Sequence, residues 1–120
     1  MNARFELVSD DPGRFFFRLL DRTGRLLLTG LPCEGKIAAQ SEVLHARNSI
    51  RAADRFVSHR ADDGSHFVVL KDKDGSVLAK SATMATEAEL TALIAQATAL
   101  GGAAPLVDLT RPARGIAAQG

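Results

Sequence analysis

Few side chains in this 120-residue chain have the type and spacing that chemistry requires. The three histidines, His45, His59 and His66, match no metal-ligand spacing, and a single Cys33 excludes an internal disulfide and a cysteine-rich zinc site. Ser41 and His45 are four residues apart on a predicted helix, so they share a face. A nucleophile–base pair also needs an orienting acid and an oxyanion site, and the sequence points to neither. Asp72-x-Asp74-Gly75 resembles part of a calcium loop, but the first ligand position falls on Leu70 and the closing acid on Ser81. It reads as a hairpin turn. Phosphate-binding loops, Gly-x-Ser-x-Gly elbows, His-Glu-x-x-His and Cys-x-x-Cys motifs are missing. Cys33 reads as a reduced, part-buried thiol in the place of a larger side chain, and His66 as a satisfied core or boundary histidine. No catalytic, cofactor-binding or metal-ligating residue is assigned, and the chain is expected not to be an enzyme.

The one electrostatic pattern is basic. Arg47, Arg51, Arg55 and Arg60 lie close together with only Asp54 opposing them, and Arg111 and Arg114 add charge further on. Such a cluster suits phosphates, so RNA or DNA binding through these four arginines is the alternative function. Against it, Tyr and Trp are absent, Phe16 and Phe67 are the only candidates for exposed stacking surfaces, and the net charge is only +1. A solvated linker accounts for the same residues.

With 46% hydrophobic and 24% charged residues, the composition is that of one ordinary globular domain. No apolar run approaches the ~20 residues needed to span a bilayer, and the first residues lack the apolar core of a signal peptide. The cytoplasm is the expected compartment, with no membrane partner.

The elements that must position any site come in duplicate. Sliding the chain by 51 residues gives ten identities over the 45 positions from Arg4 to Asn48, including Gly13 on Gly64 and Gly24 on Gly75. Each copy carries three strand signals and one helix signal. The strands fall at 5–8, 15–20 and 26–29, then at 56–60, 67–71 and 77–80, with Asp- and Gly-rich turns between them. The first helix, at about 35–47, has a stripe of small residues, Ala39, Val43 and Ala46. The second opens with a capping box, Thr86 with Glu89, runs a stripe of Leu90, Leu93, Ile94 and Ala97, and ends at Gly101-Gly102, where a left-handed residue is cheapest. Repeat 1 is 3–50 and repeat 2 is 54–102, within a single domain 1–110. The remainder, 103–120, is a tail in which residues 106–109 either add an edge strand or pack on the domain, with disorder expected beyond about residue 112.

Strand alternation sorts the side chains. Phe15, Phe17 and Leu19, with His66, Val68 and Leu70, are expected to face the helices. The opposite face then carries Phe16, Arg18 and Leu20, and Phe67, Val69 and Lys71. That is apolar for a solvated sheet surface. Phe16, Arg18, Leu20, Phe67 and Val69 are therefore the candidate surface for a protein partner.

The doubled pattern Phe5-Glu6-Leu7, Gly13-x-Phe15-x-Phe17-x-Leu19, Gly24 and Ala46-Arg47-Asn48, echoed by Arg55-Phe56, Gly64-x-x-Phe67-x-x-Leu70 and Gly75, resembles the small bacterial proteins of the YegP type (the DUF1508 domain, UPF0339). Val107-Asp108-Leu109-Thr110 looks like the family's ending, so the resemblance covers about residues 3–110. It implies an α+β fold: two tandem β-β-β-α repeats forming one antiparallel sheet, with both helices on one face and a pseudo-twofold between them. A two-copy chain completes its sheet internally, which implies a monomer. The family has no established activity and so transfers no catalytic residue. The chain departs from the family at Cys33 and Met84, where a Tyr is usual, and at Glu42 and Leu93, where a mid-helix Gly is usual.

Overall fold

The structure, a computed structural model, describes residues 2–110. In chain order its elements are β1 (Arg4–Asp11), β2 (Arg14–Leu20), β3 (Leu26–Gly30), α1 (Lys36–Ser49), a 3-10 turn (Ala53–Arg55), β4 (Phe56–Arg60), β5 (His66–Lys71), β6 (Val77–Lys80), α2 (Glu87–Gly101) and β7 (Leu106–Asp108). The three-strands-then-helix order read from the sequence appears in both halves. The predicted disorder beyond residue 112, with Arg111 and Arg114, lies outside the described residues.

All seven strands form one sheet in the order β4-β5-β6-β3-β2-β1-β7. The hairpins are closed by glycines in the left-handed region, Gly24 at φ 88° and Gly75 at φ 89°, as the turn residues predict. The halves meet at a narrow seam, where β3 pairs with β6 only through Thr29↔Lys80 and Gly30↔Ala79. The expected all-antiparallel sheet needs correction: β7 runs parallel to β1, with Phe5 opposite Leu106 and Leu7 opposite Asp108. The sheet is mixed because the chain leaves α2 beside the start of β1. There the Phe5 N–H donates to the Pro105 carbonyl at 2.8 Å. From that point the last strand runs alongside β1 in the same direction.

Both helices lie on one face. The core cluster joins Phe5, Phe17, Leu19, Leu28, Val68, Leu70 and Ala79 of the sheet to Val43 and Ala46 of α1 and Leu90, Leu93 and Ala97 of α2. These are the strand positions that alternation assigns to the helix side; Phe15 and His66, at the rim, are only half-buried. The capping box of α2 forms in full, the Glu89 N–H donating to Thr86 Oγ1 at 3.1 Å and the Thr86 N–H to Glu89 Oε1 at 3.2 Å. The end of α2 differs from expectation. Gly102 has φ −64°, so it is right-handed. The two glycines serve close approach instead: a Cβ on Gly101 would press on Ile50 and Leu19, and one on Gly102 on the Arg51 side chain.

Candidate functional site

The face away from the helices is built by the alternate positions of every strand. Cross-strand register puts Phe16, Arg18 and Leu20 of β2 beside Val8, Glu6 and Arg4 of β1, and Phe67 and Val69 of β5 beside His59 and Val57 of β4. Thr29 and Lys80 bridge the seam between them. The five predicted surface residues thus share this face, in two groups separated by β3 and β6. Leu20 and Val69 are buried there, while Phe16, Arg18 and Phe67 are half-buried. The cover comes from long neighbouring side chains. Lys80 Nζ sits 4.6 Å from the centre of the Phe67 ring, and His59 stacks on that ring at 5.3 Å.

Next to Phe16 the face turns ionic. Glu6 is buried and accepts from Arg18 at 2.6 Å and from Arg4 at 2.9 Å. Burial alone would raise its carboxyl pKa, but the two guanidinium groups outweigh that and hold it below the ordinary value. Arg18 is therefore a strut of the face rather than a free cation. Between the halves lies a shallow, mainly apolar groove of about 260 Å³, lined by Leu26, Thr29, Gly30, Leu31 and Lys80. Leu26 and Leu31 are 38% and 43% exposed there, and neither was among the residues picked out by alternation.

The arginine cluster does not converge. Arg47 donates to the Ala104 carbonyl at 2.8 Å and lies over the Phe5 ring, and Arg51 donates to the Gly102 carbonyl at 3.0 Å. Both cap carbonyls just beyond α2, where a cation also meets the negative end of the helix dipole. Arg55 donates to Ser49 Oγ at 3.3 Å, and Arg60 stands at the far end of β4.

The other candidate chemistry resolves into structure. His45 Nδ1 meets Glu42 at 3.2 Å and Asp72 at 3.8 Å, not Ser41. The Asp72 and Asp74 carboxylates accept backbone N–H groups of their own turn, from Lys73 at 2.8 Å and Ser76 at 2.9 Å. Cys33 is half-buried, and burial, with Glu42 nearby, pushes its thiol pKa up, away from a reactive thiolate. The ring of His66 has no hydrogen-bond partner among the described residues, where a satisfied histidine was expected. It lines a cleft of about 310 Å³ between β4 and the start of α2, with Ser58, Arg60, Glu87, Leu90 and Thr91. Sequence reasoning missed this cleft. The signal that marks it is the 51-residue offset, which pairs Glu87 with Lys36 and Arg60 with Ser9. Among the described residues no three His, Cys, Asp or Glu side chains converge as a metal site, and no helix is long and apolar enough to cross a membrane.

A seven-stranded sheet with two helices on one face and, among the described residues, an open opposite face and an uncovered edge defines a class of small α+β domain. Solved structures share that fold. One is the protein of unknown function yegP from E. coli, with a TM-score of 0.84 at 24% identity over 91% of this chain and 94% of that one. Another is the UPF0339 protein SO3888 from Shewanella oneidensis, with a TM-score of 0.84 at 20% identity over 91% of this chain and 92% of that one. The chain thus has the YegP-like fold that its motifs suggest. No family model and no curated protein matches it.

Proposed function

We propose that the chain is a non-catalytic interaction module of the cytoplasm that binds a protein partner on the open face of its sheet. In this reading two β-β-β-α units, 3–50 and 54–102, fold as an intramolecular pseudo-twofold pair, and the working form is a monomer. The observation that carries the reading is the inequality of the two faces. Both helices cover one. The other keeps an apolar floor of Leu20 and Val69, with Phe16 and Phe67 half-exposed and Leu26 at the groove between them.

Support for the paired units comes from contacts that exchange roles. Gln96 of α2 donates to Asp21 in the β2–β3 hairpin at 3.0 Å. His45 of α1 stands 3.8 Å from Asp72 in the β5–β6 hairpin. Each residue in one contact is 51 positions from its counterpart in the other, so each helix holds the other half's hairpin, as at an isologous interface. The bridges Phe15↔Cys33 and His66↔Met84 correspond in the same way.

The test is affinity capture from native lysate with the wild type and the Phe16→Ser/Phe67→Ser variant, after circular dichroism shows both folded. The reading expects proteins captured by the wild type to be lost with the variant. An unchanged set overturns it.

A further inference from the structure

Among the described residues β4 is an open edge, with β5 its only strand neighbour. The other half shows what such an edge accepts. β7 docks parallel on β1, held by the Phe5 N–H to the Pro105 carbonyl at 2.8 Å and the Leu109 N–H to the Leu7 carbonyl at 2.9 Å. Leu106, opposite Phe5, packs on the core. Asp108, opposite Leu7, reaches Lys36 at 2.9 Å, and Lys36 is the first residue of α1.

β4 offers the same slot with no occupant among the described residues. Phe56 and Ser58 stand against Leu70 and Val68 in the register that Phe5 and Leu7 hold against Leu19 and Phe17. Their N–H and C=O groups therefore face outward, toward a missing strand. Glu87 is the first residue of α2, as Lys36 is of α1, and it lines the cleft beside Ser58. The charge at the floor of the slot is thus inverted. Arg60, two residues along, lines the same cleft, and neither Glu87 nor Arg60 makes an ion pair or side-chain hydrogen bond among the described residues.

We infer that β4 accepts an extended segment of another protein as an eighth strand, parallel to β4. The segment places an apolar residue opposite Phe56, a Lys or Arg opposite Ser58 and an Asp or Glu opposite Arg60. Backbone hydrogen bonds supply attachment, and the alternate side chains supply selection. The basic residue meets Glu87, repeating the Lys36–Asp108 pair with the signs exchanged, and the acidic residue meets Arg60. No segment of the chain has this order of apolar, any, basic, any and acidic residues, so the occupant is a different protein and not a second copy. The edge is separate from the open face, and either surface stands if the other fails.

The experiment is an NMR titration of the full chain with a synthetic peptide containing Leu-Thr-Lys-Val-Glu, to about 1 mM. A charge-exchanged peptide, Leu-Thr-Glu-Val-Lys, is the comparison. The first peptide is expected to shift the amides of Phe56 and Ser58 and to bind about fivefold tighter than the second, the combined worth of two weak, exposed ion pairs. Glu87→Lys is expected to cancel that preference, and Glu87→Lys with Arg60→Glu to reverse it. Ser58→Pro, which an edge strand tolerates with its N–H side facing solvent, is expected to abolish both. Absence of shifts in β4 overturns the inference. So does binding indifferent to Ser58→Pro and Glu87→Lys, or concentration-dependent dimerisation of the free chain through β4.

Discussion

Replacing Asp108 by Asn tests how the last strand is held. One oxygen of the Asp108 carboxylate accepts the Thr110 N–H at 2.8 Å and the Thr110 hydroxyl at 2.6 Å, and the other faces Lys36 at 2.9 Å. Burial alone would raise this carboxyl, but the Thr110 and Lys36 contacts outweigh it and lower the pKa from 3.8 to about 2. At about 1.4 kcal/mol per unit, that shift corresponds to about 2–3 kcal/mol of stability at neutral pH. Lys36 is one-third exposed, so solvent screening reduces the charge part, and about 1–2 kcal/mol is the working range. The pKa is lowered by folding, so the contribution is complete above the unfolded carboxylate value, near 4. It is lost as the pH falls from there through about 2. Asn keeps the shape and an acceptor for Thr110 but carries no charge. Leu106 and Ala104 join the core, so β7 is expected to melt with the domain. Urea unfolding at neutral pH should then show the variant's midpoint lower by about 1 M, with m near 1–2 kcal/mol/M for a domain of this size. The gap should close as the pH approaches about 2. Equal midpoints at neutral pH, or an offset that persists unchanged into acid, would refute the reasoning.

Two further outcomes concern the frame. A Cβ on Gly30 would overlap the ring of buried Phe17, which is itself wedged edge-on against Phe5 at 5.7 Å; Gly30→Ala is therefore expected to cost about 1–3 kcal/mol, and an unshifted thermal midpoint would contradict this packing. Thr86→Ala removes the acceptor for the Glu89 N–H and is expected to cost about 1 kcal/mol, with faster amide exchange at Glu89 as the readout; unaltered exchange there would mean the cap contributes nothing.

Legibility in the sequence followed the range of the physics. Period-two alternation and Gly-closed turns are local, so the strands of both halves and the helix-facing set around Phe17, Leu19, Val68 and Leu70 could be read directly. Thr86 and Glu89 are three residues apart, and their box was equally visible. What depended on distant chain was not. The parallel docking of β7 is decided by where α2 ends beside Phe5, and the closing glycines of α2 answer to Ile50 and Arg51 rather than to their own dihedrals. Arg47 and Arg51 looked like free cations because the carbonyls they cap lie more than 50 residues away in sequence. The open-face residues were placed together, but the ion cluster of Glu6 and the groove at Leu26 and Leu31 arise from cross-strand neighbours. The charge exchange between Lys36 and Glu87 was present in the sequence aligned on itself at an offset of 51 residues. It acquires meaning only once, among the described residues, one sheet edge is seen to be covered and the other bare.

The pairing of β1 with β7 also has a consequence for the order of assembly. Phe5 and Leu106 are roughly a hundred residues apart, so this contact closes the longest loop in the sheet and carries the highest entropic cost of nucleation. On the ribosome, at about 5–20 residues per second, β1 waits at least several seconds before its covering strand is made. For that interval β1 is a bare edge of the growing sheet. The charged side chains that β1 carries during that interval, Arg4 and Glu6, are of the kind that blunt an edge against pairing with neighbouring nascent chains.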